Sequence, residues 1–523
     1  MAALSPSVNA LTPHPRYHSL YTFLVDEFWR RDDLPRTRSA FREFFRQREW
    51  AYSLAAQFCS SHRDMTGIVG SGTTGPLSQS GAEVFSYDPD YIVSDFGGYG
   101  LYYYYVMTDL GFIYPGGIGM PTPVDIPSER GKELAAAFRA EIAETDYYKD
   151  FFSGPQVDLP KDVLAEYAGT GCLCQGKRED AADRRLILRA SLQEGGAERA
   201  HARRESLRLF LDLAKQSDGH ALTEADFREL LYFGADTNGT TFAPKPALLV
   251  HSRRWRLFQA REYYVFALNG LWSHLCGWGR EMGGDVVPLS LEAIWEHLDE
   301  AIDFEGLAAL LECEDPGLGS GDPLSALFEW LLSTASASSP DSFDACCSLA
   351  APVQESSLHR LAMTSWKKPC VQVSGMLTML ALIYLRYSPP ELSAREDWVF
   401  ATFGEPDRLS IARFVADVRR KLAESTCTIG GLLRWLMKEY VVRQHQLVAF
   451  RKLPDDTFRF RFEGGGMRFF SDPALAIEFG FTDPRLYAMG TTVHELGLCG
   501  NLYEEEHGLT ADGVQLLEQG DVV

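Results

Sequence analysis

What this sequence lacks narrows it before anything it contains does. It has no uninterrupted apolar run of about 20 residues. Val371 to Tyr387 comes nearest, but Gln372, Ser374, Gly375 and Thr378 break it, so it reads as a buried core helix. Positive charge is short. Fifty Lys and Arg stand against 72 Asp and Glu for a formal charge of -22, so the chain as a whole repels a phosphate backbone and any nucleic-acid contact must come from a local basic patch. Met1 to Val8 carries neither the charged region nor the apolar core of a signal peptide, so the expected location is cytoplasmic, with no membrane partner. The ten cysteines are scattered. The tight groupings, Cys172-Leu173-Cys174 and Cys346-Cys347, lack the paired CxxC spacing of a zinc site. Reduced, partly buried thiols are expected, and no metal or other cofactor.

Catalytic motifs are equally scarce. The glycine-rich segment Gly67 to Gly75 lacks the Gly-Lys-Ser/Thr ending of a phosphate-binding loop and reads as a flexible loop. No Gly-x-Ser-x-Gly elbow is recognisable. His494-Glu495 and the isolated His507 have no ligand partner at i+4, and a lone histidine in such a setting is expected to be solvated. Pro454-Asp455-Asp456 with Glu463 resembles the acidic pair of a restriction-type nuclease, but Gly464 and Gly465 stand where that site places its lysine. No catalytic residue is assigned.

What is present is globular. With 46% apolar and 23% charged residues, a chain of 523 residues buries a substantial core and splits into several domains. Three parts are expected: residues 1–148, 149–387 and 388–523. The first opens with two aromatic-rich helices, the second carrying Arg38, Arg42 and Arg46 beside Phe41, Phe45 and Trp50. The second part is a succession of amphipathic helices, with stripes such as Trp255, Phe258, Val265, Leu268, Trp272 and Leu275, and Leu291, Ile294, Leu298 and Ile302. Arg261 to Tyr264 and Trp272-Ser273-His274 share one long helix. Asp315 to Asp322 and Ser333 to Pro340 read as loops. In the third part a helical stretch from Leu409 to His445 leads into Thr457-Phe458-Arg459-Phe460-Arg461-Phe462, whose period of two puts phenylalanines and arginines on opposite strand faces. Met467 to Phe470 follows Gly464-Gly465-Gly466 and completes a hairpin.

One pattern occurs near both ends. An apolar helix closes on Leu110-Gly111-Phe112 and, after an irregular stretch, a helix begins at Gly131. Similarly, Leu496-Gly497-Leu498 is followed by Thr510-Ala511-Asp512-Gly513 opening a last helix, the preceding one being introduced by Asp483-Pro484. This pattern resembles winged-helix domains of bacterial transcription regulators, where Leu-Gly-apolar ends the recognition helix and Thr-x-x-Gly starts the helix after the wing. The resemblance implies a mainly α, multi-domain protein with winged-helix-like (α+β) modules near both termini. The architecture also looks like large helical proteins of phage-defence loci. The candidate recognition helix from Leu101 to Leu110 carries Asp109 as its only charge and is dominated by Tyr102 to Tyr105, and the C-terminal wing carries Glu504-Glu505-Glu506. Those features favour protein contact over direct base reading.

The local basic patch lies from Ile411 to Arg468, where twelve basic residues face six acidic ones. Arg434, Lys438, Arg443, Arg451, Lys452, Arg459, Arg461 and Arg468 are the candidate nucleic-acid contacts. The alternative is that these side chains pair with the chain's abundant carboxylates. The resulting expectation is a non-catalytic subunit or adaptor of a bacterial nucleic-acid-handling, anti-phage assembly. It would have protein partners and would contact nucleic acid or an acidic partner through the basic hairpin. Two other readings stand beside it: an enzyme whose site is assembled from distant residues, a nuclease first among them, and a winged-helix transcription regulator.

Overall fold

The computed structural model describes the chain apart from residues 1–2, 9–10, 63–64, 336–348, 404–409, 425–426, 454–456, 471–479, 482–484 and 523. The fold is mainly α, 61% helical with only 5% strand. Among the described residues no helix is long and apolar enough to cross a membrane. Cys346-Cys347, Pro454-Asp455-Asp456, the Asp483-Pro484 helix start and most of the loop to Pro340 lie outside the described residues.

The chain divides into two compact units that do not follow the expected three parts. One gathers Met1–Glu224, Pro244–His251 and Pro484–Val523; the other comprises Ala225–Ala243 and Ser252–Asp483. Both chain ends therefore share one unit. The cause is apolar surface: the Leu486–Glu495 and Ala511–Gln519 helices bury Met489, Val493, Leu516 and Leu517, and both pack on the Ala197–Gln216 helix.

The first unit is built around tyrosine. The Tyr17–Arg30 helix is buried along nearly its whole length and packs on the Arg38–Gln57 and Glu129–Ile142 helices. Tyr17, Tyr21 and Tyr103 form a tight ring cluster with centroids 4.9 to 5.3 Å apart. Several hydroxyls find partners, as burial demands. The Tyr17 hydroxyl accepts from the Val69 amide at 2.8 Å, and the Tyr52 hydroxyl donates to the Gly171 carbonyl at 3.0 Å. The buried Glu49 carboxylate accepts from the Tyr91 hydroxyl and from the Gly98 and Tyr99 amides, which clamps the Gly97-Gly98 turn. Burial pushes this carboxyl above its usual range. Arg16 is also buried; its Nε donates to Asp183 at 3.0 Å, and its Nη1 to the carbonyls of Thr170 and Cys172 at 2.9 and 2.6 Å.

The paired terminal pattern is one local structure built twice within this unit. After the Tyr104–Asp109 helix, Gly111 adopts φ +70°, and Ile113–Tyr114 pairs antiparallel with Ile126–Pro127. Ser128 then caps the Glu129–Ile142 helix by accepting from the Gly131 amide. After the Leu486–Glu495 helix, Gly497 adopts φ +71° and Cys499 bridges Leu509. Thr510 caps the last helix by accepting from the Gly513 amide. In both copies the third residue of the capped helix lies against a backbone carbonyl: a Cβ on Gly131 would overlap the Phe112 oxygen, and one on Gly513 the Leu498 oxygen. Glycine is required by this close approach, not by its dihedral freedom.

The second unit hangs on the Leu249–Glu281 helix from Ser252 onward and on the Val371–Tyr387 segment, whose residues are almost all buried as expected. Arg386, 1% exposed, pairs with the fully buried Glu355 at 3.0 Å, and Tyr232 donates to the same carboxylate at 2.8 Å. The hairpin is present, with Phe460–Glu463 antiparallel to Gly466–Phe469. A third strand, Leu289–Ser290, pairs with the latter and leaves Phe460–Glu463 as an edge. The alternation is only half realised: Phe460 is buried, but Phe462 is 53% exposed. Part of the glycine-rich segment expected as a loop is instead a short helix, Ser71–Ser78, begun by Gly70 at φ +76°.

Substituting Gly513→Ala is expected to reverse the usual helix preference and destabilise the protein by about 1–3 kcal/mol through overpacking. Gly169→Ala, on an exposed helical position with open space around it, gains up to about 1 kcal/mol. Denaturant unfolding of the two variants beside the parent checks both signs.

Candidate functional site

The eight predicted basic residues all fall in the second unit but do not form one free patch. Arg434 pairs with Asp299, Arg443 with Glu439 at 2.9 Å and Arg468 with Glu463 at 3.3 Å. Upstream, Arg413 and Arg420 both pair with Asp417. These five basic side chains of the stretch are thus paired, and one of the pairs, Arg434 with Asp299, draws on a carboxylate outside it. Arg451 and Lys452 are exposed at the end of the Arg443–Arg451 helix. Lys438 is exposed beside a cavity of about 90 Å³ lined by Leu275, Ile294, Trp295, Phe462 and Met467.

The hairpin brings three of the eight together. Arg461 and Arg468 are direct cross-strand partners in the register, so two like charges share one strand face at a spacing that is ordinarily destabilising. Glu463 offsets one of them. Arg461 lies over the Phe458 ring at 4.4 Å and the Phe470 ring at 5.4 Å, with Phe470 itself 38% exposed. Arg459 is half-buried behind them. Its amide donates to His445 Nε2 at 2.9 Å, and the His445 ring rests against Phe460. Burial, with Arg459 nearby, lowers the His445 pKa to about 4, which fits a ring nitrogen serving as acceptor.

A second imidazole group sits in the same unit. His274 and His297 meet Nε2 to Nε2 at 3.0 Å, His274 Nδ1 donates to Gln372 Oε1 at 2.6 Å, and His297 stacks on Trp278 with centroids 4.1 Å apart. Burial lowers both pKa values, His297 to about 4 with the His274 neighbour adding to the effect. Protonation of His274 would put a hydrogen on both facing Nε2 atoms and lose the shared contact.

Among the described residues, the first unit gathers three cysteines and a histidine that sequence spacing does not mark as a group. Cys59, His62, Cys172 and Cys174 place their four ligand atoms within 4.8 Å of one another. Cys59 Sγ is 3.6 Å from Cys174 Sγ, and His62 Nε2 is 3.2 Å from Cys172 Sγ. Cys59 and His62 follow the C-terminus of the Arg38–Gln57 helix; Cys172 and Cys174 occupy the turn that ends the Lys161–Gly171 helix. The three cysteines are buried and His62 is half-buried. Hydrogen bonds from Cys172 and Cys174 hold the Cys59 thiol below its usual range. The same contacts, with burial, push Cys172 up. Such a set of soft donors, without a carboxylate, can hold a thiophilic divalent cation. The signal in the sequence was two short half-sites, Cys59-x-x-His62 and Cys172-x-Cys174, 110 residues apart.

The remaining candidates resolve into structural roles. Glu495 pairs with buried His14 at 2.7 Å, and His494 Nδ1 lies 3.2 Å from the Cys499 carbonyl. His507, expected to be solvated, is 6% exposed. Its Nε2 lies 2.8 Å from the Ser217 hydroxyl and its Nδ1 2.9 Å from the Glu504 carbonyl. A cavity of about 260 Å³ lies between the tyrosine-rich helix and the hairpin loop that follows it, lined by Arg38, Phe96, Tyr99, Tyr104, Gly117 and Asp125. No protein-family model, curated protein or solved structure matches the chain.

The two lowered histidines carry a sign. An unfolded imidazole protonates near about 6.5, while His297 in the fold waits until about 4. The unfolded state therefore binds more protons between those values, and stability falls as pH drops from about 6.5 toward 4. His297→Phe, which keeps a ring on Trp278, should lose ground to the parent at pH 7 and recover it progressively by pH 4.5 in urea titrations. A difference that does not change with pH contradicts the assignment.

Proposed function

We propose that this protein is a non-catalytic adaptor of a nucleic-acid-handling assembly that takes single-stranded nucleic acid on the edge of its basic hairpin. The observation that carries this reading is the Arg461–Arg468 cross-strand pair, with the Arg461 guanidinium lying over Phe458 and Phe470. A phosphate bridging two opposed arginines would add charge-assisted hydrogen bonds to both. Exposed phenylalanine beside arginine is the combination on which unpaired bases stack, whereas a duplex offers its bases only through grooves. The chain's formal charge of -22 confines such contact to this place.

A protein-facing role for the N-terminal winged-helix-like module is supported by its apolar exposure. Tyr105 is 79% exposed on the tyrosine-rich helix, and Tyr114 and Ile118 on the hairpin that follows are 62% and 100% exposed. No cation on that helix would meet phosphate, so this face suits an apolar protein partner better than DNA.

Fluorescence anisotropy with labelled single- and double-stranded DNA and RNA across a salt series tests the reading. Single strands are expected to bind best. The slope of log K against log salt should fall by about 0.7 for each phosphate contact removed in Arg459→Glu/Arg461→Glu. Phe470→Ala should cost about 1–3 kcal/mol with little change in slope. Absence of binding by the parent at low salt sinks the proposal.

A further inference from the structure

We propose that Cys59, His62, Cys172 and Cys174 form a closed, structural zinc site that clasps the end of the Arg38–Gln57 helix to the turn after the Lys161–Gly171 helix. The geometry is the first argument. Zinc bound tetrahedrally at about 2.3 Å to sulfur and about 2.0–2.1 Å to nitrogen sets its sulfurs about 3.8 Å apart and a sulfur about 3.5 Å from a nitrogen. Cys59 Sγ and Cys174 Sγ are 3.6 Å apart, Cys172 Sγ and His62 Nε2 3.2 Å, and all four donors fit within 4.8 Å. The two short separations lie within about 0.3 Å of those values, and the widest, up to 4.8 Å, closes on an ion by about 1 Å.

The donor chemistry is the second argument. Three thiols and one imidazole, with no carboxylate in the group, exclude calcium, magnesium and manganese, which want oxygen. Four protein ligands leave no open position for water, so the site is structural and not hydrolytic. Binding one Zn²⁺ displaces three thiol protons to solvent, with His62 entering as the neutral ring; no oxidation or reduction occurs.

The surroundings are the third. Gln175 Nε2 lies 3.4 Å from Cys174 Sγ and also donates to the Ser61 hydroxyl at 3.1 Å, which ties the two half-sites together outside the sulfurs. The Cys59 thiol is 3.9 Å from the Ala168 carbonyl. Arg16 holds the Cys172 carbonyl at 2.6 Å, fixing the backbone that presents the third sulfur. Such outer contacts orient ligands in metal sites. A disulfide would use two of the three sulfurs and leave the imidazole and the remaining thiol without a purpose.

The test uses the full-length protein, purified under mild reduction without chelator. Elemental analysis should find about one zinc per chain, released when an organomercurial titrates the thiols. After zinc removal and Co²⁺ loading, the visible bands of tetrahedral cobalt and the near-ultraviolet thiolate-to-cobalt charge transfer should appear. Cys172→Ser/Cys174→Ser should abolish both readouts, while Cys499→Ser, which alters a buried cysteine outside the cluster, should leave them intact. Loss of zinc should lower the thermal unfolding midpoint of the parent, a readout that does not depend on any variant folding. The proposal is overturned if the reduced parent holds no stoichiometric zinc and takes up no cobalt. It is equally overturned if the double variant keeps its zinc, if iron is found in place of zinc, or if peptide mapping of the protein as purified finds Cys59 joined to Cys174.

Discussion

A guanidinium taken out of water needs acceptors, and in the first unit Arg16 draws three of them from separate elements. Removing such a group from water costs several kcal/mol before any compensation, and one carboxylate alone rarely repays it. Asp183 supplies the charge and accepts from Nε, the carbonyls of Thr170 and Cys172 both accept from Nη1, and Nη2 is left without an acceptor among the described residues. Those acceptors come from the start of one helix and the end of another. Once they are held, the Lys161–Gly171 helix cannot continue, the chain turns at Cys172, and that turn faces the end of the Arg38–Gln57 helix. The proposed metal clasp thus sits where a buried charge has already fixed the backbone. The second unit repeats the principle with Arg386, which shares Glu355 with Tyr232.

The two terminal motifs show a different constraint, that of backbone approaching backbone. In each, a glycine at positive φ ends a helix, a Ser or Thr caps the next, and a second glycine lets that helix lie on the carbonyl of the residue after the first glycine. The same hydrogen bonds recur: the Ser128 amide donates to the Phe112 carbonyl and the Thr510 amide to the Leu498 carbonyl. Ser128 and Thr510 also send their hydroxyls to the carbonyls of Gly111 and Gly497. The two copies differ in what they expose. The first presents tyrosine and isoleucine, the second a glutamate-rich turn, so a common scaffold carries two unlike surfaces.

Charge was readable in amount but not in placement. The surplus of arginine and lysine between Ile411 and Arg468 is a property of the sequence, yet carboxylates from other elements take up part of it; Asp299 reaches Arg434 from 135 residues away. In the hairpin the register brings Arg461 opposite Arg468, which also pairs with Glu463, and the rings of Phe458 and Phe470 flank Arg461. Strand alternation alone placed the arginines on one face. The tertiary pairing of Leu289–Ser290 with the inner strand decided that Phe460–Glu463 is an edge.

Short-range patterns by themselves determined the helical class, the Arg38–Gln57 and Leu249–Glu281 helices, the buried Val371–Tyr387 segment, the hairpin and the twin Leu-Gly motifs. Each of these depends on periodicity, capping or turn chemistry within a few residues, which a linear sequence displays. The two-unit division was not visible, because it rests on helices near Val523 covering apolar surface on the Ala197–Gln216 helix. The cysteine–histidine cluster was invisible for the same reason. Cys59-x-x-His62 and Cys172-x-Cys174 are each too short to signify anything, and only the closure of a separation of 110 positions, held by Arg16 and the tyrosine core, makes one site of them.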